Sequence, residues 1–588
     1  MKKSIELNSS YIIYAVLFAF LSTLQVQNVE TPVFSSIIII YLAVFITGFI
    51  WFYIYLFSLS LLFFFPRHFF PKTIDFFIFI IVSFSFIWLC FDVVSLTVSG
   101  SHLDIFKIKV ISQKGFKEIS GISDKTYYTA LAISFFIPIV AILSTYLIKK
   151  TNRKIRVNII LFFSLLSIVL IPERLFFAYG KFYNRTSINA INESINWRPK
   201  SSLSSLFKNF DINIPPQSLS TDHAKDTYVQ SKNPNIIIIM AESLRTDMLS
   251  KDIMPNLNKF SGTQFRNNFS TSNGTHFGLI SLLYGIFPTY YESIIENEIP
   301  SPLFQLVNQN NYETHTVSSY HFNWFGMQKV INKDHFDYFK IYDNSEEPWE
   351  QRDLKVKDYF KSHFKGGKER PQFFYITLNS THHNYFYPEN SMFSKFKPVV
   401  SRDQNLFTIS KDDAGKILNR HKNAALYIDS LVGEMIEHIK KQGEWENTLL
   451  VFFGDHGEEF FEDGHTTHAN KMNIYQNSAA LFIHKPDDKG NKINYHYTSH
   501  IDVLPTLWEQ LGAIPKPPWF RGENLYNKQN NVVFTTQIHL THPSIYGVIS
   551  DGVLCRLVEP NDLFSLRGEL CSQMSEQHLK YFYKIAKE

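Results

Sequence analysis

The chain predicts two unlike parts: an N-terminal bundle of five membrane-spanning helices, and a C-terminal α/β domain on a mainly parallel sheet covered by helices on both faces. Three observations carry this. Before Arg67 the only charged residues are Lys2, Lys3, Glu6 and Glu30. Long apolar stretches recur as far as Phe177 and then stop. From Asn235 onward short apolar runs alternate with helical segments, the pattern of strands buried on both faces. The composition excludes other classes. With 588 residues, 45% hydrophobic and 19% charged, the chain has too much apolar surface to stay disordered. Three cysteines cannot staple a chain of this length. A net charge of +4 offers no basic footprint for nucleic acid.

Five stretches approach the roughly 20 residues that a bilayer-spanning helix needs. They lie at about Ser10–Gln25, Phe34–Phe65, Phe76–Leu96, Tyr127–Ile148 and Val157–Phe177. The first is short, but no small-residue cleavage site follows it, which argues against a signal peptide. The second exceeds the hydrocarbon core, so it must tilt or protrude. Charge sets the orientation. The loop Lys149–Arg156 carries Lys149, Lys150, Arg153, Lys154 and Arg156, and is therefore cytoplasmic, as are the Lys2–Lys3 terminus and the Arg67–Lys72 turn. Five crossings satisfy all three placements and leave everything after Phe177 outside. The expectation is a multi-pass inner-membrane protein of a double-membrane bacterium, with residues 1–178 in the bilayer and the rest in the periplasm. Asp92, at membrane depth, is expected to be an interfacial carboxylate reaching water. Residues 179–233 are a polar connector. Its segment Ser201–Phe210 places Leu203, Leu206, Phe207 and Phe210 at helical spacing, and is expected to pack on the soluble domain.

In the soluble part, residues 234–530 read as the α/β domain and 531–588 as its C-terminal extension. Strands are predicted at Asn235–Met240, Thr314–Ser318, Gln372–Leu378, Thr448–Phe453 and Ala480–His484. Helices are predicted at about Thr275–Leu283, Pro302–Asn308, Asn419–Gln442 and Val503–Gly512. In such sheets ligands bind at the carboxyl ends of the strands, and those ends carry a constellation. Glu242 follows the first strand, His382 and His383 the third, and Asp455 and His456 the fourth, with His465 and His468 soon after. Thr275 stands at the start of the first soluble helix, in positive potential that favours a phosphate or alkoxide. Carboxylates and imidazoles at one sheet edge are the donors that Zn2+ or Mn2+ takes. Singly, each has a plain alternative: Glu242 and Thr275 as helix caps, Asp455-His456-Gly457 as a turn. Their joint occurrence, each just past a strand, points to one divalent metal ion.

These residues carry a resemblance. Glu242 after a strand, Asn273-Gly-Thr275, His382, Phe453-Gly-Asp455-His456-Gly and then His468 resemble the alkaline-phosphatase superfamily, and within it the membrane-anchored, sulfatase-like branch. That branch holds phosphoethanolamine and phosphoglycerol transferases and lipoteichoic-acid synthases, which place an extracytoplasmic catalytic domain after five spans. Ala424-Ala-Leu-Tyr-Ile-Asp429 and His500-Ile-Asp502-Val-Leu-Pro-Thr are further echoes. The layout, with Lys181-Phe-Tyr-Asn-Arg and Ile195-Asn-Trp-Arg-Pro after the spans, is most similar to the inner-membrane regulators of lipopolysaccharide synthesis in this branch. The Cys/Ser-x-Pro-x-Arg motif of true sulfatases is missing, and the nucleophile position reads Asn273-Gly-Thr275-His-Phe.

The resemblance implies a metal held by Glu242, Thr275, Asp455 and His456, with Thr275 as nucleophile and His382 and His468 as catalytic histidines. It implies a membrane phospholipid donor, a phosphothreonine intermediate, and a lipopolysaccharide or other envelope-glycan acceptor. The regulators of the branch have degraded metal positions, whereas this chain keeps all four. Two rivals remain at this level: a non-catalytic regulator of outer-membrane lipid homeostasis, and a metal-dependent phosphodiesterase or sulfatase-type hydrolase. Cys90 is expected to be a buried reduced thiol, and Cys555 and Cys571 fall in the periplasmic tail, where a disulfide can form. Phosphoethanolamine transferases typically carry several disulfides in this domain, a point of difference.

Overall fold

A computed structural model describes residues 4–24, most of 34–99, isolated positions from 103 to 112, 124–151, 154–158, 217–538 apart from 405–408 and 529–530, and 546–565 apart from 559–561. The chain divides into two compact units, Met1–Lys117 with Ile122–Asn209, and Glu118–Gly121 with Phe210–Glu588.

In the first unit, four of the expected apolar stretches are helices: α1 (Ser9–Thr23), α2 (Phe34–Leu62), α3 (Pro71–Ser99) and α4 (Asp124–Lys150). Pro71–Ser95 and Tyr127–Lys150 are long and apolar enough to cross a membrane, whereas the apolar helical stretches Ser9–Thr23 and Val44–Leu59 are shorter. Strand β1 (Ser4–Asn8) pairs antiparallel with β2 (Lys154–Asn158), so the N-terminus meets the basic loop after α4. Strand β2 takes up Val157 and Asn158, the first residues of the expected fifth span. The rest of that span and Ser201–Phe210 lie outside the described residues.

The polarity of this unit is inverted relative to a water-soluble bundle. On α4, Phe135 is 73% exposed and Leu147 61% exposed, while Ser83, Asp92 and Thr145 are buried. Hydroxyls join the helices: Tyr14 donates to the Thr145 carbonyl at 2.6 Å, and Ser83 Oγ lies 2.7 Å from Thr145 Oγ1. Asp92 departs from expectation. It is buried, and Leu103 N donates to its Oδ1 at 2.7 Å.

The second unit holds an eight-stranded sheet. Its strands are β3 (Asn235–Ala241), β4 (Gly262–Phe269), β5 (Glu313–Ser318), β6 (Tyr338–Ile341), β7 (Gln372–Leu378), β8 (Thr448–Gly454), β11 (Leu481–His484) and β12 (Asn491–Ser499). The short strands β9 (Glu459–Phe460) and β10 (Thr466–Thr467) form a separate hairpin. The sheet order is β12-β4-β11-β8-β3-β7-β5-β6, parallel throughout except at β11, which runs antiparallel to both neighbours.

Helices cover both faces, and β3 explains why. All seven of its residues are buried, with alternate side chains entering different cores. Ile236, Ile238 and Met240 pack with α5 (Thr275–Tyr284), α7 (Pro302–Gln309) and α11 (Val503–Leu511). Ile237, Ile239 and Ala241 pack with α8 (Trp349–His363) and α9 (Ala414–Lys441). Two shorter helices, α6 (Tyr291–Asn297) and α10 (Ile474–Asn477), lie in the same unit. The C-terminal extension is a four-stranded antiparallel sheet, β13 (Val533–Thr536), β14 (Tyr546–Ser550), β15 (Val553–Val558) and β16 (Asp562–Ser565). Cys555 in β15 is disulfide-bonded and Cys90 is a free thiol. Cys571 lies outside the described residues.

Candidate active site

Three strand ends and one helix start converge. Glu242 N still donates to Leu378 O at 3.0 Å, which holds Glu242 in line beyond β3. Ser243 then breaks the strand with φ 58°, and its N–H donates to Asp455 Oδ1 at 2.9 Å, tying the end of β3 to the end of β8. This approach requires Gly454, where a Cβ would meet the Leu244 carbonyl at 2.2 Å. Helix α5 comes in as closely, since a Cβ on Gly278 would lie 2.5 Å from the Asp455 carbonyl.

The result is a tight group. Thr275, first residue of α5, donates from Oγ1 to Glu242 Oε1 at 2.8 Å and lies 3.3 Å from His456 Nε2. His456 Nε2 is also 3.2 Å from Asp455 Oδ2 and 3.5 Å from Glu242 Oε1. Glu242, Asp455 and His456 are all buried.

The histidines share one device. His456 Nδ1 faces its neighbour's Gly457 carbonyl at 2.9 Å, and His382 Nδ1 faces the His383 carbonyl at 3.1 Å. Carbonyls only accept, so Nδ1 carries the proton in both, and Nε2 is left for the site. His468 Nδ1 is held by the Glu458 carboxylate at 3.1 Å. One donor atom each from Glu242, His456 and His468 lie within 4.8 Å of one another, as do those of His382, His383 and His468. His468 therefore joins the two groups. It sits between Thr467 and Ala469, both at positive φ (65° and 67°), just past β10.

Electrostatics fit a cation. Burial and the neighbouring Glu242 charge lift the Asp455 carboxyl to about 7. Burial pulls His456 down, but the Asp455 and Glu242 carboxylates outweigh it and raise the imidazole to about 9. Glu242 Oε2 and Asp455 Oδ2 are buried and accept no hydrogen bond. Two buried carboxylates with unused oxygens, an imidazole Nε2 and a hydroxyl suit a divalent metal ion. Burial, reinforced by the other imidazoles, pushes His382 and His468 well below the usual histidine range, so both are neutral.

Two further elements brace the site. Asp353 of α8, fully buried, accepts from Asn379 N at 3.0 Å and Ser380 N at 2.8 Å, fixing the loop that carries His382 and His383. The C-terminal extension is fastened to the Thr275 loop: Thr536 N donates to Thr271 O at 2.7 Å, and Ile538 N to Asn273 Oδ1 at 2.8 Å.

The structure thus brings together every predicted site residue: Glu242, Thr275, Asp455 and His456 in one group, with His382 and His468 beside it. Sequence reasoning named only His382 of the pair as catalytic and missed Glu458 and Asp353. Glu458 had a readable signal, two residues past His456, whereas Asp353 sits in a charged helix with none. The two echoes are structural. Asp429 accepts from Asn256 N and Leu257 N, both at 2.8 Å. Asp502 caps its helix with Ser499 and pairs with Lys528.

With this geometry in place, the class follows. Residues 234–513 match the family described as Sulfatase, a match in keeping with the resemblance to the alkaline-phosphatase superfamily. The chain resembles the membrane-anchored branch of that superfamily. Lipoteichoic acid synthase 2 of Bacillus subtilis is 23% identical over 334 residues, covering 52% of this chain and 49% of that protein. Lipoteichoic acid synthase of Staphylococcus aureus is 23% identical over 343 residues, covering 53% and 50%. The chain spans about half the length of these curated relatives. In fold it is similar to the integral membrane protein lipooligosaccharide phosphoethanolamine transferase A of Neisseria meningitidis, with TM-score 0.54, 14% identity, and coverage of 86% of this chain and 96% of that one.

Proposed function

We propose that the protein is a metal-dependent transferase that moves a phosphoryl head group, phosphoethanolamine or phosphoglycerol, from a membrane phospholipid to lipopolysaccharide or another envelope glycan. The observation that carries this is the Thr275 hydroxyl, 2.8 Å from Glu242 and 3.3 Å from His456 at a helix N-terminus. The names of the relatives, lipoteichoic acid synthases and a phosphoethanolamine transferase, support the same chemistry.

Glu242, Thr275, Asp455 and His456 would hold one divalent ion, Zn2+ or Mn2+. When bound, it supplies positive charge that favours ionisation of a hydroxyl and offsets phosphoryl oxygens. The chain's own groups do the rest. Glu242 Oε1 orients the Thr275 hydroxyl, whose oxygen attacks the phosphorus of the donor. The bond from phosphorus to the diacylglycerol oxygen breaks, leaving a phosphothreonine. The proton lost by the attacking hydroxyl is matched by the one gained on diacylglycerol. The acceptor hydroxyl then attacks, His382 or His468 Nε2 takes its proton, and that proton returns to Thr275 Oγ1.

Residues 1–178 would anchor the domain through five spans in the inner membrane, and 179–233 would connect it to a periplasmic domain of residues 234–530 with its extension 531–588. The apolar exteriors of α3 and α4, with polar groups turned inward, support a bilayer as surroundings. The β1–β2 pairing supports a shared side for the N-terminus and the basic loop.

The test uses the metal-loaded full-length protein incubated with phosphatidylethanolamine or phosphatidylglycerol. The peptide containing Thr275 should gain the head-group mass, and Thr275→Ala should abolish the gain. Absence of an adduct with both lipids would sink the transferase and favour a non-catalytic regulator. An adduct that turns over to water without an acceptor would favour a phosphodiesterase.

A further inference from the structure

At the opposite end of the sheet from the metal centre lies a cavity of about 560 Å3, lined among others by Thr263, Lys485, Lys492, Tyr495, His496 and Tyr526. It is remote from the reacting groups. Strand β4 runs from Gly262 to Phe269 before the chain reaches Thr275, and the six residues from Thr263 to Phe269 span about 20 Å at the strand rise. Lys485 follows β11, whose last residue, His484, pairs with Leu450 near the start of β8, away from Asp455.

Three features set the chemistry of this cavity. First, β12 is bulged: Asn494 pairs with Phe265 and Tyr497 with Asn267, so Tyr495 and His496 together oppose the single Arg266. A regular strand would send successive side chains to opposite faces, whereas the bulge lets Tyr495 and His496 both line the cavity. Second, the Thr263 and Tyr526 hydroxyls face each other there, both buried. Thr263 is only 4% exposed. Third, the charge is unbalanced. Lys485 Nζ stands 4.1 Å over the Tyr526 ring and forms no ion pair with any described residue, while Lys492 shares Asp488 at 3.3 Å.

Cationic donors beside hydroxyls call for an anion with further acceptor oxygens. The cavity is too large for a phosphate ion alone and falls within the range of small-molecule sites. The Tyr495 ring, 66% exposed, offers a flat wall for a sugar face. We propose that this cavity is a second, non-catalytic binding site for a phosphorylated sugar, with its phosphate on Lys485 and Lys492 and its ring against Tyr495.

Calorimetric titration of the full-length protein in detergent, with glucose 6-phosphate, glucose and inorganic phosphate as probes, tests this. Glucose 6-phosphate should bind one site more tightly than either fragment. Lys485→Ala and the surface change Tyr495→Ala should each weaken it roughly tenfold, the scale of one lost charge-assisted or stacking contact. Thr275→Ala should leave it unchanged, so failure here leaves the transferase reading standing, and failure of that reading leaves this site standing. A phosphorylated glycolipid in phosphatidylcholine vesicles that displaces glucose 6-phosphate assigns the sugar to a lipid head group, and a lack of displacement assigns it to a soluble ligand. Absence of binding, equal binding of glucose or inorganic phosphate, or indifference to both cavity variants would overturn the proposal.

Discussion

At the scale of single residues, the site is a problem of buried negative charge with a proton in the place of a cation. Asp455 is lifted from 3.8 to about 7 and His456 from 6.5 to about 9. The contribution of His456 to the stability of metal-free protein is present below pH 6.5 and is lost as pH rises through 9. Ionising Asp455 costs stability increasingly between 3.8 and 7. Both signs agree: the stability these two groups contribute to metal-free protein falls as pH rises, and metal binding, which releases their protons, strengthens. The rise in thermal midpoint on adding Mn2+ or Zn2+ should therefore be larger at about pH 8 than at about pH 5.5. A rise that shrinks toward pH 8 would contradict this account. Glu242, Asp455 and His456 were legible in the sequence because each immediately follows an apolar run. His383 was not separable from His382 by pattern, because what distinguishes them is the folding of one loop.

At the scale of elements, close approach decides function. Gly278→Ala would force a methyl to within 2.5 Å of the Asp455 carbonyl and push the start of α5 off the site. A stability loss of about 1–3 kcal/mol is expected, together with weaker metal binding, read by calorimetry. The control Gly415→Ala in α9, with nothing within 4 Å of its new Cβ, should be neutral or stabilising by about 0.5–1 kcal/mol. Asp353→Ala strands the buried amides of Asn379 and Ser380, an expected cost of about 1–3 kcal/mol each. Thermal melting measures it, and the His382–His383 loop should gain amide hydrogen exchange before the sheet does.

The five predicted strands of the central sheet were legible, Gln372–Leu378 to the residue. The predicted helices differ only at their ends, most at α9, which begins at Ala414 rather than Asn419. Strands β4 and β12 and helix α8 were not legible. Strand β4 reads Gly-Thr-Gln-Phe-Arg-Asn-Asn-Phe and β12 Asn-Lys-Ile-Asn-Tyr-His-Tyr-Thr-Ser, too polar for continuous burial, because they lie toward the sheet's edge. Helix α8 is charged along most of its length and buries a narrow face. Pairing partners created these elements, and local pattern did not announce them.

At the scale of the molecule, the two units bury opposite kinds of side chain. The globular unit hides apolar residues on both faces of a sheet, whereas the helical unit shows Phe135 outward and keeps Thr145 within. A reporter enzyme that is active only in the periplasm should be silent when inserted at Asn152 and active when fused after Glu588. Activity at Asn152 would reverse the proposed orientation. The extension β13–β16, read from sequence only as a tail, holds the Thr275 loop through Thr536 and Ile538. Removing residues 531–588 should therefore abolish the Thr275 adduct, even in protein that remains soluble and metal-bound.

The small β1–β2 ribbon imposes a rule of parity. Two strands hydrogen-bonded edge to edge cannot stand on opposite faces of a bilayer, so in the proposed topology the chain between Asn8 and Lys154 crosses an even number of times. Helices α1 to α4 supply four such passages in the proposed topology. A catalytic unit on the far face then demands an odd count between Asn158 and Gln217, and the apolar run ending at Phe177 is the sequence there able to provide it. Five backbone residue pairs thus act as a counting device. Under that topology, a variant that deletes or duplicates one helix must either break the ribbon or strand the site on the wrong side of the membrane.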